Sequence, residues 1–370
     1  MDDKKYWIGF NLIKGIGAVR MQNLVAYFGD LESAWNASPN ELAESGLGAK
    51  LIEKVVGARK DINLDQVWAK IEAQGIKILT WADEEYPNRL REIDQPPPIL
   101  YIRGEYLQDD LFAVAIVGTR KVTAYGRQVT EEIASFLASN GISVISGLAR
   151  GVDAIAHQSA LRAGGRTIAI LGSGVDKIYP PEHRGLADQI KERGAIISDY
   201  AVGTPPDASN FPPRNRIISG LSLAVVVIEA AETSGALITA EFAAEQGREI
   251  FAVPGSILAP QSKGTNRLIQ KGALPLLTPD DLMQALDLTR IGEHKSARKV
   301  IPTDETEAKV LSVLSSEPLH VDEIRNQAGL PIEKISATLA LMELKGMVRQ
   351  VGGMNYVAMR EEQAEYKVNK

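Results

Sequence analysis

Cysteine is absent from the 370 residues, which removes disulfides, thiolate nucleophiles and cysteine-ligated metal in one stroke. Histidine is scarce: His157, His183, His294 and His320 are widely separated and show no metal-ligand spacing. No stretch approaches the roughly 20 apolar residues of a membrane span. The opening Met1-Asp-Asp-Lys-Lys leads into a mixed segment without the apolar core of a signal peptide, so a cytoplasmic protein with no membrane partner is expected. Positive charge is also short. With 41 Lys and Arg against 47 Asp and Glu the formal charge is −6, so no basic coat is available for nucleic acid and any polyanion site must be a local patch. What is present is ordinary for folded protein, 45% hydrophobic and 24% charged, and the length exceeds what one core serves.

Three segments follow. Residues 1–70 read as a small helical domain in which Lys14-Gly15-Ile16-Gly17 and Gly46-Leu-Gly48 form turns between helices. The pair resembles helix-hairpin-helix (SAM-like) units, which present N–H groups to a DNA backbone in some proteins and serve packing or docking in others. All four tryptophans lie at or before Trp81 and are expected to fill small cores there. Residues 71–288 carry short β-branched runs separated by helical stretches: Ala113–Val117, Ile142–Ile145, Thr167–Leu171, Ala195–Ile197, Leu223–Ile228 and Ile250–Val253. Their near-continuous apolarity predicts strands buried on both faces, hence an α/β fold with a parallel sheet sandwiched by helices. The stretch from Ile76 to Ile102 is expected to add strands or a cap, making the sheet partly mixed. A polar, basic linker spans 289–303. Residues 304–362 then show three short helices and a hairpin, a pattern resembling a winged-helix domain, followed by a tail at 363–370. Its third helix carries Glu333, Lys334, Glu343 and Lys345 rather than a basic base-reading face, so protein contact or a structural role is expected.

In an open parallel sheet, ligands bind beyond the carboxyl ends of the strands. There the chain places Gly118-Thr119-Arg120, Ser146-Gly147 with Arg150 to Asp153, Gly172-Ser173-Gly174 with Asp176-Lys177, Thr233-Ser234-Gly235, and Pro254-Gly255 followed by Lys263 and Arg267. Small residues let backbone approach an anion, and the helices that follow supply positive dipole ends. The run Phe211-Pro-Pro-Arg214-Asn215-Arg216 adds two guanidiniums to a stretch with no carboxylate from Ala208 to Ile228, and its prolines suit a helix start. The order predicts a phosphate-binding track more than a single pocket. No G-x-G-x-x-G follows the first strand and no Walker motif occurs, which disfavours a nicotinamide cofactor or an ATPase cycle. His157, four residues after Asp153, reads as a local hydrogen bond or satisfied packing. Ser146 and Ser234 have no activating histidine near in sequence, and Asp153, Asp176 and Glu229 read as loop-holding groups. No catalytic residue, metal or cofactor is assigned. Tyr179 and Phe211 sit beside the track and are expected in the core.

Gly118-Thr-Arg120, Ser146-Gly-Leu-Ala-Arg-Gly-Val-Asp153, Phe211-Pro-Pro-Arg-Asn-Arg-Ile-Ile218, Ser234-Gly-Ala-Leu-Ile-Thr239 and Val253-Pro-Gly255 resemble, in order, the DNA-processing protein A (Smf) family. The resemblance covers residues from about 75 to 287, and the flanking segments fit the family's usual arrangement. It implies a Rossmann-like domain that binds single-stranded DNA, forms a homodimer, shields incoming strands and loads RecA recombinase during natural transformation, without being an enzyme. Carried over by motif, the rim comprises Gly118, Thr119, Arg120, Ser146, Gly147, Gly172, Gly174, Arg214, Asn215 and Arg216. Charge and position add Lys177, Arg184, Lys263 and Arg267. The segment Pro181-Glu-His-Arg184 departs from relatives that place lysine there.

Two alternatives stay open. One is a nucleotide-cleaving enzyme resembling the lysine decarboxylase-like group, whose P-G-G-x-G-T-x-x-E loop would lie at Thr233 to Glu241, although Leu237 and Ile238 replace its small glycine and its threonine. The other is a double-stranded DNA regulator working through the C-terminal segment.

Overall fold

A computed structural model describes residues 3–286, 305–314, 319–344, 348–351 and 353–358, so the expected linker at 289–303 and tail at 363–370 fall outside the described residues. The chain forms two compact units divided after Leu286.

The first unit opens with six helices: α1 (Lys4–Asn11), α2 (Ala18–Phe28), α3 (Leu31–Asn36), α4 (Pro39–Glu44), α5 (Ala49–Asp61) and α6 (Leu64–Ala73). Local chemistry sets their starts. Asp30 accepts the Ser33 N–H at 2.7 Å, and Ser38 with Glu41 forms a reciprocal capping box ahead of Pro39. Trp7, Phe10 and Trp35 are buried in a core that runs without a break into Ile78, Tyr101, Leu171 and Ile190 of the sheet layer. The helical segment is therefore part of the larger unit rather than a separate domain. Two hydrogen bonds fix its seat: the Tyr101 hydroxyl donates to Asn11 Oδ1 at 3.0 Å, and the Asn11 amide donates to the Asp199 carbonyl at 3.3 Å.

Nine strands follow: β1 (Lys77–Thr80), β2 (Ile99–Gly104), β3 (Ala113–Val117), β4 (Ser143–Ser146), β5 (Thr167–Ile170), β6 (Gly194–Ser198), β7 (Ala224–Val227), β8 (Glu249–Ala252) and β9 (Leu274–Pro275). They form one sheet in the order β1-β2-β6-β5-β4-β3-β7-β8-β9. β3 to β9 run parallel, and β1 and β2 join antiparallel at one edge, so the sheet is Rossmann-like and partly mixed as expected. The connecting helices are α7 (Asn88–Arg91), α8 (Ala124–Ser139), α9 (Val152–Arg162), α10 (Arg184–Arg193), α11 (Phe211–Gly220), α12 (Gly235–Glu245), α13 (Lys263–Gln270) and α14 (Asp280–Ala285). On the face opposite the N-terminal helices, Leu90, Ile217, Ile218 and Ala240 pack on Ile168 and Val225. The chain winds outward from β3 to β6, returns, and winds the other way through β7 to β9. The switch point lies at the carboxyl ends of β3 and β7.

The second unit contains α15 (Glu305–Val313), β10 (Leu319–His320), α16 (Val321–Ala328), α17 (Ile332–Leu344), β11 (Val348–Gln350) and β12 (Asn355–Ala358). Its strands order as β10-β12-β11, and Val310, Leu314, Ile324, Ile335, Leu339 and Met342 make a closed core. Three helices and a small sheet give the winged-helix arrangement.

His157 on α9 is fully buried, and its Nδ1 lies 2.6 Å from Thr167 Oγ1, not on Asp153. The Thr167 hydroxyl proton is already given to the Val144 carbonyl at 2.7 Å, so Nδ1 is the donor and the neutral tautomer is fixed. Burial pulls its pKa down to about 3, with His183 and Arg214 adding to the effect. The unfolded chain therefore binds a proton that the native state refuses between pH 6.5 and 3, and stability falls as pH drops through that window. Unfolding titrations should show His157→Asn, which keeps the Nδ1-like donor, losing less stability than wild type by about 1.4 kcal/mol per pH unit there. Parallel curves for the two proteins would remove His157 as the cause.

Candidate nucleic-acid interface

A cleft of about 750 Å³ opens at the switch point. Its floor is the loop after β3, Gly118 to Lys121, and one wall is the turn at Thr233 to Ala236 that starts α12. The other wall is the start of α11, where Phe211, Pro212 and Asn215 line the opening. Two helix N-termini thus converge on one space; α12 brings main-chain N–H groups to its positive end, and α11 brings fewer because Pro212 and Pro213 carry none. Pro212 and Pro213 occupy the first turn of α11, where a missing N–H loses nothing.

Arg214 lines the cleft and also reaches inward. It is only 6% exposed, and its Nη1 donates to the carbonyls of Gly147 (2.8 Å) and Ile170 at the carboxyl ends of β4 and β5. Gly147 permits this contact, because a Cβ there would lie 2.5 Å from the guanidinium. Beneath it Asp153, also buried, accepts the N–H groups of Gly147 (3.1 Å) and Ala149 (3.3 Å). Burial pulls Arg214 down to about 10 and pushes the Asp153 carboxyl up, while their mutual attraction opposes both shifts. Through Nη1 the guanidinium braces the rim, while Arg214 still lines the cleft and its Nε has no hydrogen-bond partner. Arg216 is likewise engaged, donating to Asp199 at 2.8 Å with both groups largely shielded. Ser146 is fully buried and donates to the Ile116 carbonyl at 2.7 Å, so it stitches β4 to β3 and does not reach the rim.

The other expected residues sort by position. Gly118 is wedged between Val152 and the Glu229 carbonyl. Thr119 takes a 2.8 Å bond from its N–H to that carbonyl and offers its hydroxyl to the Lys121 N–H at 3.1 Å. Gly151, at φ +78°, brings its chain against the Thr119 carbonyl, 2.3 Å from where a Cβ would sit. Asn215 lines the cleft and donates to the Gly235 carbonyl at 3.4 Å. Gly172 lies under the Phe211 ring and Gly174 is buried, its N–H bonded to Thr204 O at 3.0 Å, so neither faces the opening directly. Lys177 and Arg184 are exposed in an adjoining groove. Lys263 and Arg267 are exposed on α13 and do not line the cleft, although Gln261 just before them does.

Arg120 and Lys121 are the exposed cations of the floor, and the Arg120 guanidinium carbon lies 5.8 Å from the Phe211 ring centre. A second partner of Phe211 is Tyr179, its ring inclined at 28° with 5.8 Å between centres. Tyr179 is 38% exposed, which corrects the expectation that it belongs to the core; Phe211 is half-buried between it and Gly172. This rail of one cation and two rings was the feature that motif reading missed. Its signal was an aromatic at each end of two strand-end loops. The four tryptophans do pack: Trp7 and Trp35 are buried, and Trp68 and Trp81 lie against the same core.

Among the described residues no group of three or more His, Asp or Glu could hold a metal ion, and no helix is long and apolar enough to cross a membrane.

The model of the DNA recombination-mediator protein A family matches residues 77–287. The chain belongs to that family. A second family model, the DprA winged helix domain, matches residues 294–354. Protein Smf of Synechocystis is 38% identical over 96% of this chain and 98% of its own length. The DNA processing protein DprA of Bacillus subtilis is 41% identical over 60% of this chain and 75% of its own. Among solved structures, the family member from Streptococcus pneumoniae superposes with a TM-score of 0.68 at 34% identity, covering 77% of this chain and 98% of that one. The Helicobacter pylori protein, described with its single-stranded DNA binding mode, gives 0.52 at 32% identity over 57% and 95%.

If Arg214 braces the rim, Arg214→Ala should lower the unfolding free energy by about 3–5 kcal/mol, because it strands Asp153 in the interior. Arg120→Ala, at an exposed position, should stay within about 0.5 kcal/mol of wild type. Urea midpoints measure both, and an unchanged midpoint for Arg214→Ala would refute the brace.

Proposed function

We propose that the cleft binds single-stranded DNA without sequence preference and without catalysis, shielding the strand and delivering it to RecA recombinase during natural transformation. The observation that carries this reading is the Arg120–Phe211–Tyr179 rail crossing a cleft fed by two helix N-termini. A single strand has no fixed groove to read. A protein holds it by phosphate contacts along the backbone and by ring faces that accept any base, each stack contributing about 1–3 kcal/mol. The family resemblance supports the recombinase and the cytoplasmic setting that it implies, and the Helicobacter pylori relative supports the ligand class.

Absence of a reaction is supported by the chemistry of the walls. Asp153 is the one carboxylate among the residues lining the cleft; it is buried, and its Oδ2 accepts two main-chain N–H groups. Glu241, the glutamate that a nucleotide-cleaving loop would use, is exposed on α12 outside that lining, while Leu237 packs into the core. The glutamate that reading would use therefore lies outside the cleft lining.

We further propose that the protein acts as a homodimer joined beside β9. Ile257 (81%), Leu258 (86%) and Leu277 (73%) stand exposed on the loop after β8 and just past β9, a density of bare apolar side chains that a monomer rarely leaves in water. Among the described residues β9 ends the sheet, so its outer edge adds main-chain groups without a neighbouring strand to the same region.

Fluorescence anisotropy with an oligothymidine should show Arg120→Ala weakening binding by about 1–3 kcal/mol and lowering the slope of log K against log salt by about 0.7. Tyr179→Ala should weaken binding while leaving that slope in place. Wild-type affinity in both variants would defeat the cleft assignment. Sedimentation of Leu277→Arg should give a monomer where wild type gives a dimer; an unchanged coefficient would place the interface elsewhere.

A further inference from the structure

Beside the main cleft lies a second groove of about 470 Å³, and Tyr179 and Pro206 line both. The groove follows one face of α10: Arg184, Asp188 and Lys191 fall at i, i+4 and i+7, so their side chains stack along the helix. Lys177 and Arg103, the latter on the antiparallel strand β2, also line it. Four cations thus face the groove against two carboxylates. Of those two, Asp188 is held by Lys191 at 2.6 Å with Arg103 also lowering its pKa, and Asp176 lies 3.6 Å from Lys177 Nζ and accepts the Gly203 N–H at 2.8 Å. In a chain of net charge −6, a four-to-two excess of cations in one groove is a local reversal of sign.

We propose that this groove is a second strand-binding subsite, in which Arg103 and Lys191 take the phosphates of nucleotides that leave the main cleft across the free face of Tyr179. The inference rests on the single-strand reading of the main cleft and extends it to residues that no motif marks. The continuity at Tyr179 supports the path, since its ring is stacked on Phe211 on one side and 38% exposed. The rise from Arg184 to Lys191 is about 10 Å along the helix, at about 1.5 Å per residue. That matches about three nucleotides at a stacked spacing near 3.4 Å. Short strands are held by the main cleft alone. Longer ones gain the α10 groove and bind more tightly.

The test uses the full chain and labelled oligothymidines of about 5 and about 15 nucleotides, within the roughly 4–16 nucleotide range of single-strand sites. The double variant Arg103→Ala/Lys191→Ala should bind the long probe at least about tenfold more weakly, with a salt slope lower by about 1.4 for two lost phosphate contacts, and bind the short probe as wild type does. The charge-preserving pair Arg103→Lys/Lys191→Arg should keep the long-probe affinity. Circular dichroism and thermal unfolding check that each variant folds; should the alanine pair unfold, Arg103→Gln/Lys191→Gln takes its place with the same expectation. Undiminished long-probe binding by the neutral pair, with the short probe still bound, overturns the subsite and leaves the main cleft standing. Equal weakening of both probes also overturns it, because the residues would then act within one site. If wild type binds neither probe, the single-strand reading itself falls and the subsite with it.

Discussion

The rim depends on the guanidinium of Arg214, taken largely out of water and bonded through Nη1 to the carbonyls that end β4 and β5. A buried charge is tolerated only when its donors are used and an opposite charge is near; Asp153 supplies the second condition from the first turn of α9. One side chain on α11 therefore ties together two strand ends and the start of another helix. The consequence appears at the surface. Phe211 lies three residues before Arg214 on the same helix, so fixing the arginine inside fixes the ring outside, where it rests over Gly172 and presents its edge of the rail to Arg120 and Tyr179. The interior charge holds the aromatics of the cleft in register.

Much of the fold was legible because a strand covered on both faces has little choice of composition. Each of the six apolar runs became a parallel strand within a residue or two of the expected bounds, and the Ile76–Ile102 stretch became the two antiparallel strands at the edge. The winged-helix elements followed from helical spacing around a core now seen at Val310, Ile324, Ile335 and Leu339. The domain boundary near residue 70 did not follow. Whether two cores fuse depends on surfaces meeting across sequence, here Trp7 and Phe10 against Ile78 and Leu171, and no local pattern encodes that contact.

The site was legible in its place and less so in its parts. Strand-end glycines marked the cleft because topology alone decides where parallel strands finish. The roles of Arg214 and Arg216 did not follow from charge, yet helix geometry held a clue: two residues apart on a helix means about 200° of rotation, so both cannot face one ligand. One turned to the carbonyls and the other to Asp199. Ser146 shows the same kind of limit. A hydroxyl at the last position of a strand can point to the rim or into the sheet, and its bond to the Ile116 carbonyl puts it inside.

An acidic chain that grips a polyanion must do so at short range. The Debye length near physiological salt is about 8 Å, so carboxylates farther away repel a phosphate weakly, while contacts at Arg120 or along α10 lie well inside that distance. Helix N-termini extend the same economy, since N–H groups attract anions without adding net charge that would repel the protein's own cations. What they do not supply is affinity that survives added salt. Ring faces do, because stacking releases no counterions. A cleft whose two best-formed arginines are committed to the fold leans more on Tyr179 and Phe211 than one with free guanidiniums would, and the balance between stacking and charge is set by how Arg214 is buried.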